Sequence, residues 1–464
     1  MTIKPICNAL HHAAQFHENP KLIGWLENRS AIVYLTAERR RSILFYGALL
    51  AGAVGLFNRA ARARDFSDTA KWLAPPIDFP LLLGLLYLVY LAAIRLPKLP
   101  LFIRRYPQLP LHLLFWAVLL VLWLTPPKAG LWRSALTLIA FSLPYLLWRC
   151  GYLILSAQRG KVSSTRFRDH LFYLWPVWGG TNTPYGKGLD YLSRCEAKTP
   201  EAFARSILAG VKLSLLALVW IGAKRAFDAA IYGETKIPLF AFLAEHSIGV
   251  PRLSAIVNDT VPASIMITWV SLYFELIHDT IDIAADGHQL IGLLRIFGFN
   301  VFRNTYKPLL AESIIDFWSR YYYYFKELMF EIFFFPTYLN YFRSHAKLRM
   351  FVAVFAAAFL GNTYYHVLQG RNALIAGQFT GLWHVLGPRL PYCLFLTIGI
   401  YFSMLHHQRR GERVETGNRA KARLRKFLRI AWVWTFFGFL TFWSLRTNLT
   451  LAEKSSFFFS LFGF

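Results

Sequence analysis

What most constrains this chain is a succession of apolar runs, each parted from the next by a short segment rich in Lys or Arg. The runs stand at Ser42–Phe57, Pro80–Ile94, Leu111–Leu124, Leu136–Leu155, Ile207–Ala223, Ala263–Ile277, Gln289–Val301, Leu390–Leu405 and Phe427–Leu445. Lipid offers no hydrogen-bond partner to a backbone amide, so such runs must become helices that close their bonds internally. Crossing the hydrocarbon takes about 20 residues of helix, and flanking residues are expected to extend the shorter runs. Hydrophobic residues make up 56% of the 464 and charged ones only 16%, a balance that points to a multi-spanning membrane protein. The expected fold is an all-α integral membrane bundle of about nine to eleven transmembrane helices. Residues 1–41 are expected to be a cytoplasmic or interfacial lead-in, and residues 42–464 a single transmembrane domain.

The formal net charge is +26. A soluble domain with that excess would suggest nucleic acid. Here the basic residues fall in short loops, where they set topology and meet anionic headgroups, so nucleic acid is not an expected partner and the bilayer is. With the triplet Arg39, Arg40 and Arg41 on the cytoplasmic side, the second and fourth runs return there at Arg95, Lys98, Arg104 and Arg105 and at Arg159, Lys161, Arg166 and Arg168. Arg59, Arg62 and Arg64 then fall outside and oppose the rule. The segment from Arg409 to Arg429, with Arg410, Arg413, Arg419, Lys421, Arg423, Arg425 and Lys426, is the strongest cytoplasmic marker. The start lacks the apolar core and small-residue cleavage site of a secretory signal, so the first span is expected to serve as an uncleaved anchor. Cys7, Cys150, Cys195 and Cys393 are scattered without a CxxC pair, and neither a disulfide framework nor a metal site is expected.

Two stretches break the pattern of simple spans. From Leu171 to Lys224, a Pro- and Gly-interrupted apolar segment precedes a polar stretch and then a clear span. A re-entrant or interfacial element has this look, and so does a loop with a surface hairpin. The sequence HDTIDIAADGH, from His278 to His288, is expected to be a solvated loop between two spans.

The stretch from Phe297 to Gly370 carries the chemistry. Glu312, Asp316, Arg320, Glu327 and Glu331 are spaced four, four, seven and four apart, which predicts one face of one helix. Asp316 and Arg320 stand in the favourable order for an ion pair that orients this helix. Trp318 and Tyr322, also four apart, are placed at a cavity. Further on, His366 has Asn362 four residues before it and Gln369 three after it, again on one face. Polar groups are costly within a bilayer and by default line a cavity or a substrate path.

Two regions resemble the membrane-bound O-acyltransferase (MBOAT) family, in particular the bacterial branch that includes the alginate O-acetylation and teichoic-acid D-alanylation membrane proteins. Asn304, Pro308, Asp316-Phe317-Trp318, Arg320-Tyr321-Tyr322 and Phe333-Phe334-Phe335-Pro336 follow that branch's order and spacing. GNTYYHVLQG places His366 where the family has its histidine, with Tyr365 in the position of a tryptophan. Tyr173-Leu174-Trp175-Pro176, followed by Gly180-Thr181-Asn182-Thr183-Pro184-Tyr185, is a looser upstream likeness. The motif-bearing core then spans about 171–405. There are departures. Tyr322 stands where these relatives carry a second histidine, and Val367 replaces a glycine. A second GLWH, ending at His384, matches by letters but lies eighteen residues beyond His366.

The resemblance implies a bundle around a central tunnel, with an acyl thioester donor, acyl-CoA or an acyl-carrier phosphopantetheine, entering from the cytoplasm and no bound cofactor. It implies transfer to a hydroxyl of a cell-envelope glycan, lipid or related acceptor. His366 would be the general base, and Asn362, Gln369, Trp318, Tyr322, Asp316, Arg320, Asn304 and His384 would line the tunnel or meet substrate. It further implies a bacterial cytoplasmic (inner) membrane, a cytoplasmic N-terminus and an extracytoplasmic acyltransferase- or esterase-like partner. The residues alone leave two other readings open: a transporter or flippase-like carrier whose polar stripe lines a path, and a non-catalytic scaffold with the same fold.

Overall fold

The computed structural model describes residues 15–126, 130–162, 165–174, 183–410, 419–445, 447 and 449–463. Among them there is no strand, only one isolated antiparallel bridge between Glu196 and Phe299. Seven helices of the described residues are long and apolar enough to cross a membrane: Ala37–Arg62, Asp68–Ile94, Gly130–Gln158, Pro200–Tyr232, Ala346–Gln369, Phe379–Arg409 and Ala420–Ser444. A shorter apolar helix covers Leu109–Leu124. The chain is an all-α integral membrane protein.

In chain order the principal helices are α1 (Ala37–Arg62), α2 (Asp68–Ile94), α3 (Leu109–Leu124), α4 (Gly130–Gln158), α5 (Pro200–Tyr232), α6 (Ile265–Ile296), α7 (Ile314–Tyr321) and α8 (Tyr323–Met329). They continue with α9 (Phe335–Asn340), α10 (Ala346–Val354), α11 (Asn362–Gln369), α12 (Arg371–Ile375), α13 (Phe379–Leu386), α14 (Arg389–Arg410), α15 (Arg419–Ser444) and α16 (Leu451–Ser460). The described residues form two compact units. One is made of the described residues within 1–214, Leu290–Phe302 and Arg371–Gln378, and the other of those within Leu215–Gln289, Arg303–Gly370 and 379–464.

In the first unit, the head of α1 is tied down by its own arginines. Arg41 pairs with the Glu196 carboxylate, and Arg40, 5% exposed, donates to the Ala197 carbonyl with its guanidinium 4.0 Å from the Phe203 ring centroid. Gly298 has φ +90° and lies where a Cβ would meet Arg40 Nε at 2.9 Å, so only glycine fits both the backbone and the space. These arginines, read from sequence as topology markers, are also structural ties. The α5 and α6 backbones touch at Gly210 and Gly292, since a Cβ on Gly210 would come within 2.7 Å of the Gly292 carbonyl oxygen. Small residues at a helix crossing let dispersion replace the hydrophobic effect that lipid does not supply.

Three sequence expectations are corrected. The segment HDTIDIAADGH is not a loop, because α6 runs unbroken from Ile265 to Ile296 and joins the two runs read as separate spans. Glu275, His278, Asp279, Asp282 and Asp286 recur at helical spacing, so a helix gathers them on one side. The second run begins at Asp68 rather than Pro80: Ser67 accepts from the Ala70 amide, and the helix continues through Pro75, Pro76 and Pro80. Each proline removes only its own N–H, and helices in membranes tolerate this where neighbours serve the freed carbonyls. The third correction is the charged row from Glu312 to Glu331, which does not lie on one helix.

Candidate active site

The charged row fails at Tyr322, whose backbone (φ −141°, ψ 73°) separates α7 from α8. The break is filled by the segment before it. Tyr306 N–H donates to the Arg320 carbonyl at 2.8 Å, and Thr305 Oγ1 donates to the Tyr321 carbonyl at 3.0 Å. On the other side, Tyr323 N–H donates to the Asn304 carbonyl at 3.0 Å and Tyr324 N–H to Asn304 Oδ1 at 3.3 Å. The end of one helix and the start of the next are thus satisfied by three consecutive residues. Asn304 is 1% exposed and sits against Gly287 of α6, where a Cβ would approach its side chain to 3.1 Å. Its side chain serves as a helix cap.

Beyond α8 the chain widens into a π-helical segment at Phe330–Phe334, and a second one, Phe355–Gly361, joins α10 to α11. A π turn inserts a residue into the α ladder and is found disproportionately at functional sites. The two segments pack together, and a Cβ on Gly361 would fall 2.7 Å from the Phe333 ring. Between them lies an apolar cavity of about 20 Å³, room for one water-sized group, bounded by Trp318, Phe330, Phe334, Ala357, Ala358 and Asn362. Asn362 is 2% exposed, and among the described residues neither its amide nitrogen nor its amide oxygen has a hydrogen-bond partner. A buried amide left without partners costs about 1–3 kcal/mol, and this one borders the cavity.

One turn after Asn362 comes His366. Its Nδ1 lies 3.0 Å from Gln369 Oε1 and its Nε2 lies 3.5 Å from Arg389 Nη1 at the head of α14. A guanidinium has no acceptor. Nε2 therefore presents its lone pair, Nδ1 carries the proton and donates to Gln369, and the neutral ring is fixed in one tautomer. Lys454 of α16 donates to the Trp443 and Leu445 carbonyls; burial first, and then the charge of Arg389, bring its ammonium down to about 8. A row of rings links cavity and histidine: Trp318 to Phe325 at 5.8 Å, Phe325 to Tyr365 at 4.7 Å, Tyr365 to His366 at 5.9 Å. Tyr322 joins through Phe325 at 5.6 Å and does not line the cavity itself. Burial, and next the charge of Asp279, push the Tyr321 hydroxyl well above its ordinary value, so it remains a donor.

The other candidates stand apart. Arg320 Nε donates to Asp316 at 2.7 Å, and Glu312 pairs with Lys426 and Arg429 of α15 at 3.2 and 3.0 Å. Both arrangements position α7. His384 on α13 is exposed beside the 56% exposed Trp383. Trp175, Pro176 and Gly180 to Asn182 of the upstream likeness lie outside the described residues, while Thr183 and Tyr185 are buried. On α6, the ligand atoms of Glu275, His278 and Asp279 all lie within 4.8 Å of one another. Asp228, 3.2 Å from His278, also binds Arg252 at 2.7 Å, so a guanidinium supplies the positive charge of this cluster.

Arg389 was not singled out in the sequence. It opens an apolar run after Gly387-Pro388. Nothing in its spacing ties it to His366, and only the fold brings the two together. No protein-family model matches this chain, and no curated protein matches it.

Proposed function

We propose that the chain is an O-acyltransferase of the membrane-bound type, moving an acyl group from a thioester to a hydroxyl. The observation that carries this reading is the fixed, neutral His366 one turn from a buried, unpartnered amide at the edge of an apolar cavity. The likeness in motif order adds to it.

In this reading the acceptor hydroxyl replaces the Arg389 guanidinium at His366 Nε2, and that nitrogen takes its proton as the oxygen attacks the thioester carbonyl. The tetrahedral oxyanion is steadied by the Arg389 guanidinium. It collapses with cleavage of the carbon–sulfur bond, and the departing thiolate recovers the proton from the imidazolium. Gln369 holds the ring as a base is held by a third group in other nucleophilic sites. Asn362 hydrogen-bonds the acyl carbonyl or the acceptor, which gives its two polar atoms their missing partners. Acyl-CoA or a carrier-bound phosphopantetheine is the donor, and an envelope glycan or lipid the acceptor. The setting is a bacterial cytoplasmic membrane, with the N-terminus cytoplasmic and an extracytoplasmic partner receiving the product.

The test is a purified His366→Ala variant given labelled acyl thioester and a hydroxyl acceptor. Transfer is expected to fall roughly 100- to 10,000-fold, with the protein still folded and membrane-inserted. A wild-type rate in this variant removes the assignment. Label carried unchanged across a vesicle would instead favour a carrier.

A further inference from the structure

The first unit, which does not contain His366, gathers two arginines on one aromatic ring. Arg59, in the last turn of α1, places its guanidinium carbon 3.4 Å from the ring centroid of Phe141 on α4. Arg371, the first residue of α12, lies 4.6 Å from the same ring and 4.4 Å from that of Tyr145, and donates to the Tyr145 hydroxyl. Phe141 and Tyr145 are one turn apart on α4, and α12 is pegged to α3 by Trp123 Nε1 donating to the Leu374 carbonyl at 2.9 Å. Both guanidiniums are therefore held by rigid elements.

Stacking fixes the plane of a guanidinium and leaves its in-plane N–H edge for an acceptor. Arg59 meets one, the neutral amide oxygen of Asn372 at 3.3 Å, and pairs with no carboxylate among the described residues. Two like charges on one ring repel unless an anion bridges them. The level of the pair in the membrane comes from the aromatic residues at the same helix ends. Trp72, near the start of α2, is 72% exposed and lies 6.2 Å from the ring of Phe57, two residues before Arg59. Exposed tryptophans at helix ends mark the headgroup layer. There the abundant acceptor with the geometry for a guanidinium fork is the phosphodiester.

We propose that Arg59 and Arg371 form a binding site for the phosphoryl headgroup of a membrane phospholipid. The site rests on the first unit alone and is independent of the acyl-transfer reading. The test uses the full-length protein in detergent, titrated with phosphatidylglycerol, with diacylglycerol of the same chains, and with inorganic phosphate at equal concentration. Lipid retention is read by native mass spectrometry and the thermal midpoint by tryptophan fluorescence. Phosphatidylglycerol is expected to bind saturably and raise the midpoint, and diacylglycerol and inorganic phosphate to do neither. In Arg59→Gln/Arg371→Gln the lipid affinity is expected to fall roughly tenfold or more, as loss of charged hydrogen bonds predicts. Arg59→Lys/Arg371→Lys keeps the charge and the fold but loses the fork, and should lie between. Equal retention of phosphatidylglycerol and diacylglycerol by the wild-type protein overturns the site. Undiminished lipid affinity in the Gln variant does so as well, and should that variant not fold, undiminished affinity in the Lys variant does. A midpoint shift by inorganic phosphate equal to that by the lipid overturns the headgroup assignment.

Discussion

Asn304 and Asn362 are buried almost equally, at 1% and 2% exposure, and sit 58 residues apart in the same unit. Their surroundings differ. Asn304 accepts the Tyr324 amide and, through its carbonyl, the Tyr323 amide, and so closes a helix start. Asn362 has the same side chain with both amide atoms unpartnered at the edge of a cavity. Burial therefore does not tell the two apart. A saturated buried amide is part of the scaffold, whereas one that no described residue satisfies is open to a water or a ligand. The same contrast separates the helix interruptions beside them. The break at Tyr322 is filled by Asn304 to Tyr306, and the widened turns at Phe330–Phe334 and Phe355–Gly361 leave an open space.

The contrast can be broken by substitution. The largest effect on stability is expected for Asn304→Ala, which leaves the Tyr324 N–H buried without its acceptor. The loss should be about 2 kcal/mol, read as a lowered thermal midpoint in detergent. Asn362→Leu should act in the opposite sense. Replacing an unpartnered amide by an apolar group of similar size leaves stability unchanged or raises it by up to about 1 kcal/mol, while acyl transfer falls at least about tenfold. If Asn362→Leu destabilises the protein as Asn304→Ala does, the two asparagines are alike and the cavity loses its meaning. The smallest effect belongs to His384→Ala. Because His384 is exposed, its removal should change stability by no more than about 0.5 kcal/mol and leave transfer at the wild-type rate. A large loss of transfer there would move the site from His366 to the second histidine motif.

Much of the fold is legible in the residues. The apolar runs demand helices because lipid forbids any other open backbone, and seven of the nine runs read from sequence reappear in α1 to α5, α14 and α15, while the other two fall largely in the single helix α6. His366, Asn362 and Gln369 share a face by spacing alone, and α11 carries all three. The failures are local and have a common cause. The acidic stretch on α6 reads as a loop because charges are expected in water. The row from Glu312 to Glu331 reads as one helix because period is blind to a break. Arg389 goes unremarked because nothing near it in sequence ties it to His366.

The class of the molecule, an all-α membrane protein, follows from the residues alone. Transfer from water to lipid adds residue by residue along a run, so it can be summed without knowing the fold. Which polar groups are satisfied depends on the packing of distant segments. Tyr322 can leave the helix because Asn304, Thr305 and Tyr306 lie against the gap. Asn362 can be left without a partner because two widened helices hold a space beside it, and Nε2 of His366 is distinguished from Nδ1 because Arg389 stands on one side and Gln369 on the other. Hydrogen-bond satisfaction depends on neighbours in space, and no property of a residue or its period specifies them.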